Sequence, residues 1–164
     1  MDPVIEAAPR SEFDAIELLM QDQREVECLI REFEYLHERR EETCRVVRTV
    51  CAELKMHDIL STEVFFPALL EAGGELEIEN LLVAAEDGQR AIRDLIMRVE
   101  QAGADHERRD AHFSTLARHV GRHFHEEEMQ LFPRAKKLKR LDLVSIASKM
   151  KARRSGMLAQ AQEE

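Results

Sequence analysis

The chain reads as an all-α protein: an antiparallel up-down-up-down four-helix bundle with an additional short C-terminal helix. Three observations predict this. Apolar residues recur at three- and four-residue steps in four long stretches, which is the helical period. The breaks between those stretches fall at glycines or charged clusters. The composition, 44% hydrophobic and 35% charged with four Pro and no Trp, suits a soluble helical protein rich in Glu, Leu, Arg and Ala. At 164 residues the chain is long enough for one domain with its own core, and nothing divides it in two.

Residues 1–10 form a polar arm containing Pro3 and Pro9. Ser11, with Asp14 three residues on, predicts a helix N-terminus of the capping-box kind. From there Phe13, Ile16, Met20, Gln23, Val26, Ile30 and Phe33 form the inward stripe of a first helix ending near His37. The charged stretch Glu38 to Glu42 makes the turn. A second helix, from about Thr43 to Leu70, turns Val47, Val50, Leu54, His57, Ser61, Val64 and Leu69 inward, and Gly73-Gly74 breaks it.

A third helix, from about Leu76 to Gln101, carries Ile78, Leu82, Ala85, Gln89, Ile92, Ile96 and Val99 on one face, and Gly103 ends it. Gly88 inside it costs up to about 1 kcal/mol relative to Ala, a penalty that close helix approach would justify. The fourth helix, from about Asp105 to Leu131, presents Phe113, Leu116, Val120, His123, Glu127 and Leu131, and Pro133 stops or bends it. A shorter amphipathic segment, Leu141 to about Leu158, predicts a fifth helix against one end of the bundle. The domain plan is therefore an arm at 1–10, a bundle at 11–137, and a C-terminal helix and tail at 138–164. No internal repeat or low-complexity tract is expected.

A net charge of −9 disfavours nucleic acid and anionic membrane as partners and makes a basic partner the more natural one. The basic run Arg134 to Arg140 is short enough to be a solvated helix end. No apolar run approaches the roughly 20 residues of a membrane span, and the opening residues MDPVIEAAPR lack a signal-peptide pattern. Cys28, Cys44 and Cys51 are odd in number and lack metal-type clustering, as expected of buried thiols in a reducing cytoplasm. No phosphate loop, Ser/His/Asp arrangement or C-x-x-C motif points to hydrolase, kinase or dithiol chemistry. The methionines read as gap fillers in helix packing. Neither a particular protein partner nor an oligomeric state is indicated.

Chemistry concentrates in six polar residues at core-type positions: Gln23, His57, Ser61, Gln89, His123 and Glu127. In antiparallel register they fall in one layer across the bundle. Burying a polar group without a partner costs a few kcal/mol (roughly 2–7), so six together bind either a metal or one another. His123 and Glu127, four apart, share a helix face and can both reach a bundle interior. His37, His106, His112 and His125 are expected at the surface, and Glu63, Glu126 and Glu128 read equally as a solvated acidic face.

Three segments, DAIELLMQDQREVECLI (14–30), KMHDILSTEVFFPALLE (55–71) and RHFHEEEMQLFPRAKK (122–137), resemble the hemerythrin-like, or HHE cation-binding, family. The resemblance covers residues 14–137, and its H-x-x-x-E followed by LFP is the most specific part. It implies a four-helix bundle with a di-iron site, from which this chain departs. Where the family has a first-helix His, this chain has Gln23, after Asp22. On the second helix His57 is present but the glutamate position is Ser61. The third-helix His positions match Ala85 and Gln89. On the fourth helix His123 and Glu127 are intact.

Ser61 cannot replace a bridging carboxylate, and amides are poor exchanges for imidazoles at a transition metal. Oxygen carriage is therefore not expected. Two readings stay open. In one, no metal or other cofactor binds: Gln23 and Gln89 donate to Glu127, His57 and His123 share the remaining bonds, and Ser61 closes the network. That reading makes the chain a non-enzymatic regulatory or interaction module. In the other, His57, His123 and Glu127 hold a single Fe, Zn or Mn ion, with a di-iron site less favoured. His119 would then substitute for a ligand or orient the set from outside, and the chain would sense or store iron, oxygen or nitric oxide. An enzymatic redox role ranks behind both.

Overall fold

Asp14 starts the first helix by accepting a hydrogen bond from the Glu17 N–H at 2.9 Å, which caps α1 (Ala15–Tyr35). The cap is thus Asp14 itself. The computed structural model describes residues 13–36, 39–73 and 75–163, so the arm, Ser11, His37, Glu38 and Gly74 lie outside the described residues. α2 (Arg40–Ile59) follows and takes Glu41 and Glu42 into its own first turn, where acids suit the helix dipole. It runs through a π-helical turn, Leu60–Phe65, into α3 (Phe66–Ala72).

α4 (Leu76–Gln101) ends at a tight turn in which Gly103 takes φ +55°, a left-handed conformation that favours glycine. Asp105 then caps α5 (His106–Glu126) through the Arg108 N–H at 3.1 Å. A second π-helical turn, Glu127–Leu131, leads into α6 (Phe132–Lys136). Pro133 therefore bends the local hydrogen bonding without ending the helical path. α7 (Leu143–Glu163) is longer than the sequence suggests. Every regular element among the described residues is helical.

The two π-helical turns share a cause. Each precedes a Phe-Pro pair, Phe66-Pro67 and Phe132-Pro133. A proline ring donates no hydrogen bond and crowds the carbonyl four residues back. Widening the turn lets the Phe66 N–H reach the Ser61 carbonyl and the Phe132 N–H reach that of Glu127, five residues back in each case. A short internal correspondence appears here, against the expectation of no repeat. His57, Ser61, Phe66 and Pro67 match His123, Glu127, Phe132 and Pro133 in spacing and local structure.

α1 packs along α2 and α4 along α5, and the pairs meet through α1–α5 and α2–α4 contacts. α7 lies against α1 and the first π-helical turn. The apolar core falls into two clusters. One joins Ile16, Leu19, Phe65, Leu82, Leu131 and Met150; the other joins Val26, Leu54, Ile92, Phe113 and Val120.

Most of the expected inward stripes are buried, including every residue named for α4 and α5. α1 differs: Phe13 is 48% exposed and Met20 only half-buried, while Leu19 and Asp22 are buried. α7 on one side of α1 rotates the covered face toward Asp22, whose carboxylate meets Arg154. In the second helical path Val64 is half-buried while Phe65 and Phe66 are buried, because the widened turn shifts the phase of the stripe. Met97 and Met129 are surface residues, so they fill no packing gap.

Candidate functional site

All six polar residues of the expected layer are buried: Gln23 and Ser61 fully, Gln89, His57, Glu127 and His123 to at least nine-tenths. They lie where the two apolar clusters part. On α1, Gln23 falls between Leu19 of one cluster and Val26 of the other, and on α4 Gln89 falls between Ala85 and Ile92. His57 sits between Leu54 and Leu60, and Glu127 between Phe124 and Leu131. Ser61 is the second residue of the first π-helical turn and Glu127 opens the second, so the backbone irregularity and the polar positions coincide.

Glu127 is the hub. Gln23 Nε2 donates to its Oε2 at 3.2 Å, and His123 Nε2 faces its Oε1 across one helical turn. Gly88 allows the His123 ring to lie against α4: a Cβ there would stand 2.3 Å from Nδ1. Ala85, His123 and Glu127 line a cleft of about 40 Å³ between α4 and the second π-helical turn, with Glu126 and Gln130 at its edge. Ala85, a family ligand position in the resemblance, thus faces the same space as the two intact ligand-type residues.

His57 is in the layer but differently placed. Its ring meets Phe124 edge-on at 5.3 Å between centroids. Burial pushes its imidazole below the usual value, against the opposing pull of the Glu127 and Asp22 carboxylates, so the ring is held neutral.

The self-satisfying network expected from sequence is made only in part. Gln23 bonds Glu127, but Gln89 does not. Both ring nitrogens of His57, Ser61 Oγ, Gln89 Nε2 and Gln23 Oε1 meet no hydrogen-bond partner among the described residues. His123 Nε2 and Glu127 Oε1 approach each other closely yet outside hydrogen-bond alignment. The physical reason is reach: Glu127 Oε1 stays without an aligned donor among the described residues, yet Gln89 Nε2 does not bond to it.

These residues do not fit a di-iron centre. Glu127 is the sole acid of the six; its Oε2 accepts from Gln23, and its Oε1 faces His123 Nε2 out of alignment. Among the described residues, no group of three or more His, Cys, Asp or Glu side chains is arranged to hold a metal ion. His119 is half-buried one turn before His123, without a hydrogen bond or ion pair to the layer. Of the remaining histidines, His125 is exposed as expected, whereas His106 and His112 are half-buried by the α5 start. Glu63 faces outward and pairs with Arg153 at 2.9 Å, and Glu126 is exposed.

Two buried acids at the layer's edge were missed as structural residues. Asp22 pairs with Arg154 of α7, and Asp58 receives both Nε and Nη2 of Arg93, the latter at 2.8 Å. Their one sequence signal was adjacency: each follows or precedes a layer residue, Gln23 or His57. Comparisons with family models, curated proteins and solved structures find no match to this chain.

Proposed function

We propose that the chain is a hemerythrin-like antiparallel four-helix bundle whose di-iron site has given way to a buried polar layer. On this reading it is a non-enzymatic cytoplasmic protein that acts as an interaction or regulatory module. The observation that carries the reading is the state of Glu127. It is the layer's single carboxylate; Gln23 donates to its Oε2, and His123 Nε2 stands close against Oε1 without an aligned hydrogen bond. A bridging acid between two cations presents both oxygens to metal, and here Oε2 already accepts from Gln23. Ser61, at the position of the second bridge, offers only a hydroxyl.

A second reading is favoured by one observation, the two partnerless ring nitrogens of His57. A rearranged layer could turn them, with His123 and Glu127, onto a single Fe or Zn ion.

The placement of the layer is tested by restoring it. Gln23→His with Ser61→Glu and Gln89→His should convert the protein into one that takes up iron during expression. A folded triple variant with no more iron than the parent would show that these positions do not converge as the family ligands do. Repeating it with Ala85→His separates a wrong third-helix register from a wrong layer.

A further inference from the structure

Away from the layer, α2, the C-terminal end of α4 and Arg109 of α5 line a half-open cleft of about 400 Å³. That lies within the ~300–1,000 Å³ usual for small-molecule sites. Its apolar wall is Val47, Cys51 and Val99, all at least nine-tenths buried. Burial pushes the Cys51 thiol up to about 11, so it stays a neutral apolar lining group at pH 7. No aromatic side chain lines the cavity.

The polar groups around this wall are mostly cationic. Arg109 is only 4% exposed. Its Nε donates to Asp110 Oδ1 at 2.9 Å, and Nη2 lies 2.8 Å from the same oxygen but out of alignment, leaving that buried nitrogen without an acceptor among the described residues. A buried guanidinium short of acceptors is costly unless something supplies them. Lys55 is engaged by Glu100, and Arg48 has no ion pair among the described residues. A second cavity shares Cys44 and Arg48 and adds Arg40 and Arg45. Across both linings five cationic side chains stand against two acids, Glu41 and Glu100, in a chain of net charge −9.

We propose that this cavity binds a small amphiphilic monoanion, an aliphatic carboxylate of medium chain length. Its tail lies on Val47, Cys51 and Val99, and its carboxylate meets Arg48 and Arg109. A guanidinium matches a carboxylate with two parallel N–H bonds. The absence of an aromatic wall argues for an aliphatic rather than a ring-bearing ligand. The inference stands apart from the metal question and does not depend on the hemerythrin-like reading.

Octanoate is the probe, with octanol as its uncharged counterpart, and the full-length protein is titrated by calorimetry. Saturable one-to-one binding is expected, weakened about tenfold or more in octanol, equivalent to ~1.4 kcal/mol. Arg48 and Ala52 are exposed, so Arg48→Glu and Ala52→Phe should leave the fold intact while abolishing octanoate binding by charge and by blocking the mouth. In a Cys28→Ser background, octanoate should slow maleimide alkylation of half-buried Cys44 several-fold. No saturable binding, octanol binding as tightly as octanoate, or undiminished binding by folded Arg48→Glu would each overturn the proposal.

Discussion

The imidazole of His123 rests on the backbone at Gly88, so closely that a methyl group at that glycine would stand 2.3 Å from Nδ1. Glycine in mid-helix is unfavourable by up to about 1 kcal/mol relative to alanine, so Gly88→Ala on an open helix face would stabilise. Here it must displace a buried ring that is also in contact with Glu127. Overpacking of this kind costs about 1–3 kcal/mol. Urea unfolding should therefore show Gly88→Ala less stable than the parent; a gain would mean that the ring moves aside freely.

Among the described residues, Gln23 carries the one aligned side-chain hydrogen bond to Glu127. Gln23→Leu preserves bulk but leaves the buried carboxylate short of a donor, which should lower stability by about 1–3 kcal/mol. The same substitution paired with Glu127→Leu should cost less than the sum of the two single changes. Additive losses in that double-mutant cycle would show the bond contributes nothing.

His57 makes stability depend on pH in a definite direction. Burial lowers its folded-state value, so the folded protein keeps the ring neutral while the unfolded chain protonates it below about 6.5. The stabilisation is complete above that pH and is lost as pH falls through it, because the unfolded state then binds the extra proton. The expected slope from this group approaches ~1.4 kcal/mol per pH unit on the acid side. Unfolding measured between pH 8 and pH 5 should show a slope reduced by about one proton in His57→Gln. Equal slopes in the two proteins would contradict a neutral buried His57.

Much of this architecture was legible in the chain, and the gaps have physical reasons. Ile78 through Val99 on α4 follow an undisturbed helical period, and each expected core residue is buried. Phe13 lies outside the core because the period alone does not tell which side of α1 a fifth helix covers, while Met20 is half-buried against one core cluster. Val64 packs against the core but is only half-buried, because the turn before Phe66-Pro67 widens and shifts the phase that a straight helix would keep. The six layer residues stood out as polar interruptions of apolar stripes. Their mutual bonding did not, since reach and orientation depend on contacts such as Gly88 against His123 that only folding sets.

α7 should be held by burial more than by charge. Met150 is 1% exposed within the cluster that includes Phe65 and Leu19. Met150→Ala should lower stability by about 2–5 kcal/mol. Arg154→Ala breaks a partly exposed contact with Asp22 and should cost about 1 kcal/mol or less. Hydrogen exchange across α7 should accelerate far more in the first variant than in the second; the reverse order would make the ion pair the anchor.

Metal content per chain tests the central claim most directly. Protein expressed with added iron and purified without chelator should carry near-zero iron, zinc and manganese by elemental analysis. A stoichiometry of one metal per chain that disappears in His123→Ala would establish the mononuclear site instead. Two iron ions per chain with a near-ultraviolet oxo-to-iron band would contradict the polar-layer account outright.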